Sequence, residues 1–165
     1  VYSHFEGKDA LFQAAISSKC RSYQLDTQQL IDATSGSLSL LECLRKVGCQ
    51  FVRLLQDPEA IAIFRVIIAE AVNSPHVATL FYQAGPEASL STLSDVIEKF
   101  GEGSLSRDIA QQLAVDYCAL LKGEYHTMML CGIQSPLQDE AITAHVNSAA
   151  EKILLLFTHY TQQHN

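Results

Sequence analysis

Along nearly the whole chain, apolar residues recur at helical spacing, and no segment shows the sustained alternation of a strand. The pattern predicts a first helix over residues 8–32, with Leu11, Ala15, Ile16, Leu25 and Leu30 facing inward, then a loop over 33–37. Ser37 or Ser39 is placed to cap a second helix reaching Leu55, whose apolar face is Leu40, Leu41, Leu44, Val47, Phe51, Leu54 and Leu55. Asp57-Pro58 is a helix start: Asp accepts from the free N–H groups, Pro has no N–H to lose, and Glu59 meets the positive dipole end. The stretch 60–72 that follows is apolar nearly all round, which predicts a central helix buried by several neighbours.

Asn73-Ser74-Pro75 ends that helix. A short helix over 76–84 leads to Gly85-Pro86, expected to interrupt or bend the chain, and helix resumes to about Phe100 before the turn at Gly101-Glu102-Gly103. Ser106 opens a long helix to about Cys131, Ser135-Pro136 marks a loop, and a last helix spans about 138–160. The sum is an all-α, multi-helix bundle. Ala110, Ala114, Ala149 and Ala150 on the two final helices permit close helix approach. Two uses fit them: a four-helix bundle formed by two copies about a twofold axis, or burial within one monomer.

Composition narrows the class. At 165 residues with 48% apolar and 18% charged side chains, the chain can bury a substantial core. Charges interrupt every apolar run before about 18 residues, so no membrane span is expected. The net charge of −7, with eleven basic residues scattered rather than clustered, argues against DNA binding by this chain alone. Five cysteines without a CxxC pair or ligand spacing read as reduced thiols of a cytoplasmic protein.

The opening residues carry a further signal. Tyr2, His4, Phe5, Lys8, Asp9 and Leu11 stand in an aromatic-x-His-Phe, turn, Lys-Asp-x-Leu order. This resembles the junction in TetR-family transcriptional regulators where the DNA-recognition helix ends and the regulatory domain begins. Phe64-Arg-Val-Ile-Ile-Ala-Glu-Ala71, Pro75, Leu80-Phe-Tyr82 and Gly85-Pro86 resemble the AefR/AcrR-like branch of that family.

The resemblance implies residues 1–7 as a remnant of the helix-turn-helix and residues 8–165 as an effector-binding and dimerisation domain. It implies a cytoplasmic homodimer, usually a repressor, that meets operator DNA through an N-terminal head and answers to a small molecule. By position, Tyr2, His4 and Lys8 would touch DNA phosphate. The two final helices would pair into the dimer's four-helix bundle, through Ala110, Leu113, Ala114, Ile142, Val146, Ala149, Ala150, Ile153, Leu154 and Phe157.

Candidate chemistry is sparse. No Glu-x-x-His pair, His-Glu-x-x-His, Gly-x-Ser-x-Gly or P-loop occurs, and His126 follows Glu124 by two, on another helix face. No enzyme activity, metal or cofactor is expected. An effector pocket would draw on Phe51, Phe64, Ile68, Phe81, Tyr82, Leu121, Tyr125 and Met128, with the two tyrosine hydroxyls able to orient an apolar ligand. Arg65 in the apolar helix would bind a ligand carboxylate or serve a structural pair. Two rival readings remain: a helical interaction module without effector, and an all-α enzyme in which His76 or His126 meets an acid or thiol in a cleft.

Overall fold

Three predicted helix starts are built by the side chains placed to build them. Ser39 and Glu42 form a reciprocal capping box, Asp57 Oδ1 accepts from the N–H groups of Glu59 and Ala60, and the Ser106 hydroxyl accepts from Ile109. The structure, a computed structural model, describes residues 2–23, 25, 32, 36 and 38–163, apart from the side chains of residues 2–6. Among these the helices are α1 (Tyr2–Ser22), α2 (Leu40–Leu55), α3 (Pro58–Glu70), α4 (Pro75–Tyr82), α5 (Ala88–Phe100), α6 (Arg107–Leu130) and α7 (Asp139–Gln162). The described residues contain no strand. Helix α1 runs unbroken through Gly7, where a turn was expected, and most of the predicted continuation to residue 32 lies outside the described residues.

Helices α2, α5, α6 and α7 enclose the core. Leu44 and Val52 of α2, Ile97 of α5, Tyr117 and Leu121 of α6, and Val146 and Ile153 of α7 are almost wholly buried. Each such aliphatic side chain stabilises the fold by ~1.5–3 kcal/mol relative to exposure. Gly48 lets α2 approach: a Cβ there would lie 2.3 Å from the Tyr117 hydroxyl, which donates to the Leu44 carbonyl.

Helices α1, α3 and α4 form an outer layer. Helix α3 departs from expectation: none of its residues is buried, and Val66 and Ile68 are 60% and 57% exposed. Its inward stripe, Ala60, Ile63, Phe64 and Ile67, is only half-buried, and nothing within the described chain covers the other side. An apolar-all-round pattern predicts cover, and this chain supplies it on one face only.

Gly85-Pro86 also behaves differently. Helix persists from Pro75 to Phe100 because Gln83–Glu87 widens into a π turn, which absorbs the proline that an α turn would reject. Gly85 faces α1, where its missing side chain leaves room for Ile16, 3.3 Å from the position a Cβ would take.

Candidate functional site

A cavity of about 140 Å³ lies between the two layers, close to the roughly 150 Å³ of an apolar cavity that accommodates benzene. Each wall is one helix face read at i, i+3, i+4 spacing: Ile16, Lys19 and Cys20 from α1, Phe51, Leu54 and Leu55 from α2, Ala60, Ile63 and Phe64 from α3. Phe81, Gly85 and Pro86 come from α4 and the π turn, and Ser89 and Leu90 from α5. Helix α6 closes the cavity with Cys118, Lys122 and His126, four residues apart. Phe64 stands edge-on to both Phe81 and His126, at centroid distances of 5.8 and 5.4 Å.

Between Lys122 and Tyr125, helix α6 is kinked. Gly123 takes φ 52°, ψ −163°, a conformation open essentially to glycine alone. Around the kink the Leu121 carbonyl accepts from His145 Nε2 at 2.9 Å and from the Tyr125 hydroxyl at 3.1 Å. Tyr125 and His145 meet edge-on at 4.8 Å.

The two ends of the cavity differ in charge. At the α1 end Lys19 pairs with Glu59 at 2.9 Å and Asp57 at 3.2 Å, and the Tyr23 hydroxyl donates to Asp57 at 2.5 Å. Burial pushes the Asp57 carboxyl up, but the hydrogen bonds it accepts from Tyr23, Ala60, Lys19 and Glu59 outweigh this and leave it below its ordinary value. At the α6 end, no carboxylate among the described residues pairs with Lys122. His126 is only 6% exposed, and its ring makes no hydrogen bond among the described residues. Burial, with Lys122 nearby, lowers its pKa.

The cavity thiols are poor nucleophiles at neutral pH. Burial pushes Cys118 up to about 11 and raises Cys20 as well. His126 therefore shares a cleft with two thiols, but with thiols held protonated. His76 instead pairs with Asp9 at 2.7 Å on the exposed face joining α4 to α1. Among the described residues no group of three or more His, Cys, Asp or Glu could hold a metal ion. No helix there is long and apolar enough to cross a membrane.

Of the residues singled out for a pocket, Phe51, Phe64 and Phe81 come together on the cavity wall. Leu121 sits in the main core, Ile68 and Tyr82 point outward, and Tyr125 and Met128 lie outside the lining. Arg65 faces neither the cavity nor an acid: its Nε and Nη2 donate to the Leu130 and Met129 carbonyls at 2.7 and 3.0 Å, closing the C-terminal end of α6. Ile16 was expected to face inward and His126 was singled out only for a rival enzyme reading, whereas Lys19, Cys20 and Lys122 carried no separate sequence signal, because their spacing is also that of ordinary core.

Lys8 is exposed on α1, while the side chains of Tyr2 and His4 lie outside the described residues. Ala110, Leu113, Ala114, Ile142, Val146, Ala149, Ala150 and Ile153 are at most 2% exposed within the single chain. Within the single chain they pack α6 and α7 into the core. Leu154 and Phe157 are half-buried at the edge of the same core. The outward faces of α6 and α7 instead show Val115, Leu155 and Leu156.

Comparison with known proteins adds sequence and structural kinship. A family model described as the AefR-like transcriptional repressor, C-terminal domain, matches residues 42–159. Among solved structures, the flavonoid-responsive regulator FrrA is 26% identical with a TM-score of 0.70, over 94% of this chain and 77% of that one. A putative TetR-family transcriptional regulator from Mesorhizobium loti is 20% identical with a TM-score of 0.76, over 94% and 78%. No curated protein sequence matches.

Proposed function

This chain belongs to the AefR-like TetR-family transcriptional repressors, and we propose that it is the ligand-sensing and dimer-forming part of such a regulator. A small apolar or amphipathic molecule enters the cavity and shifts the protein toward a state that holds operator DNA less well. The observation that carries this reading is the membership of α1 in the cavity wall. Ile16, Lys19 and Cys20 lie on the helix that would follow a helix-turn-helix head, so a ligand against them acts on that helix directly. A differential contact of this kind need supply only ~1–3 kcal/mol to couple ligand to DNA.

The aromatic wall of Phe51, Phe64 and Phe81 suits a flat apolar body. FrrA is by its name flavonoid-responsive, which supports a ligand role for the corresponding region here. The cavity has room for about one ring, so a larger effector would have to part the outer layer from the core. Two copies would pair through the outward faces of α6 and α7, where Val115, Leu155 and Leu156 are exposed. Such a dimer would work in the cytoplasm, with each head reading half of an operator.

The test uses the full-length regulator, with its DNA-binding head, and its operator. Fluorescence anisotropy should show ligand weakening operator binding at least fivefold. Ser89→Leu, which fills the cavity from α5, should keep DNA binding and abolish the response. A ligand that occupies the cavity without changing operator affinity would overturn the proposal.

A further inference from the structure

The geometry points to a small amphipathic acid as the cavity's ligand, its apolar body among the aromatic side chains and its carboxylate between Lys122 and His126. This rests on the cavity being the effector site and adds the chemical class of the effector. Three observations support it.

First, the polar groups are segregated. Lys19 faces two carboxylates, Asp57 and Glu59, so the α1 end carries more negative than positive charge and repels an anion. Among the described residues, Lys122 at the α6 end has no acid partner and no Asp or Glu lines the cavity. Second, His126 is a buried polar side chain without a hydrogen-bond partner among the described residues, and its ring faces the cavity. Its ring nitrogens are not sealed inside the protein, and a ligand oxygen in the cavity would give one of them the hydrogen bond that it lacks. Third, the rest of the lining is mainly aromatic and aliphatic, with only Ser89 and the thiols of Cys20 and Cys118 besides, and its volume fits about one ring.

A neutral ligand would use the apolar wall but leave both groups idle. A carboxylate uses them together, through a charge-assisted hydrogen bond from the exposed Lys122 and an N–H of the buried His126 ring. The chain's net charge of −7 does not prevent this. Distant surface charge is screened over about 8 Å at physiological ionic strength, while Lys122 is at the site.

The probes are 3-phenylpropanoate and its uncharged amide, titrated calorimetrically into the protein. The acid should bind one per chain, at least tenfold more tightly than the amide. Lys122→Met should weaken the acid tenfold or more and change the amide less than twofold, while Lys122→Arg should keep the preference for the acid. Lys122 is on the surface, so both variants should fold, and circular dichroism checks this. His126→Gln should weaken the acid by a smaller factor. Equal binding of acid and amide, or an unchanged acid affinity in Lys122→Met, overturns the acid assignment and leaves the cavity as a site for neutral ligands. Binding of neither probe overturns the acid assignment and the effector-site reading together.

Discussion

Phe64 of α3 and His126 of α6 meet edge to face across the cavity, ring centroids 5.4 Å apart and planes at 70°. This contact ties the outer layer to the core at the wall of the cavity. Shortening Phe64 should therefore loosen the layer as well as enlarge the cavity. Phe64→Ala should cost about 2–3 kcal/mol, below the upper range for a fully buried Phe because Phe64 is only half-buried. Urea denaturation measures that loss. Bicyclic aromatic ligands, too large for the native cavity, should bind the variant more tightly than the wild type.

The same histidine predicts a pH dependence. Burial, aided by Lys122, lowers the His126 pKa below its ordinary 6.5. As pH falls through 6.5 the unfolded chain takes up a proton that the folded chain refuses, so stability declines until pH reaches the lowered folded value. Above 6.5 the histidine is neutral in both states and the effect vanishes. His126→Gln should flatten that part of the stability–pH curve, measured by urea midpoints between pH 5 and 8. An unchanged slope would contradict the buried, neutral assignment.

Local chemistry made much of this fold legible. Ser39, Asp57 and Ser106 announced their helices because capping needs only the residue and the few N–H groups after it. The all-α class and the aromatic members of the cavity, Phe51, Phe64 and Phe81, were legible for the same reason, from helical spacing. What failed depended on partners. Helix α3 has the pattern of a buried helix, but a pattern does not say which surface covers it, and Val66 and Ile68 stand exposed. Ala114 and Ala149 suit either a subunit interface or a monomer core by spacing alone, and within the single chain both are buried in the core. Pro86 sits inside continuous helix because a π turn accommodates it, a detail that no residue count signals.

Gly48 should be close to irreplaceable. An added Cβ would lie 2.3 Å from the Tyr117 hydroxyl and 2.7 Å from Val146 Cγ1. Gly48→Ala should cost about 2–4 kcal/mol, from overpacking and from disturbance of the Tyr117–Leu44 hydrogen bond. Adding Tyr117→Phe removes the clashing oxygen and should recover part of that loss. The double-mutant cycle in urea would then show non-additivity. Simple additivity would mean that the close approach does not matter.

Leu155 is 72% exposed on α7, in line with a role in pairing two chains rather than in folding one. Leu155→Glu should leave the helical circular dichroism unchanged and shift sedimentation from dimer toward monomer. A dimer that survives this change together with Val115→Asp would place the pairing surface elsewhere.

The cysteines offer the most direct test of the cavity as the ligand site. Cys20 and Cys118 line it, Cys43 is buried in the core, and Cys131 is exposed away from it. Thiol alkylation followed residue by residue by mass spectrometry, with and without saturating 3-phenylpropanoate or its amide, reads occupancy against an internal control. The account predicts that a bound ligand slows alkylation of Cys20 and Cys118 at least fivefold and leaves Cys131 unchanged. Ligand binding that protects neither cavity thiol, or that slows Cys131 equally, would contradict it.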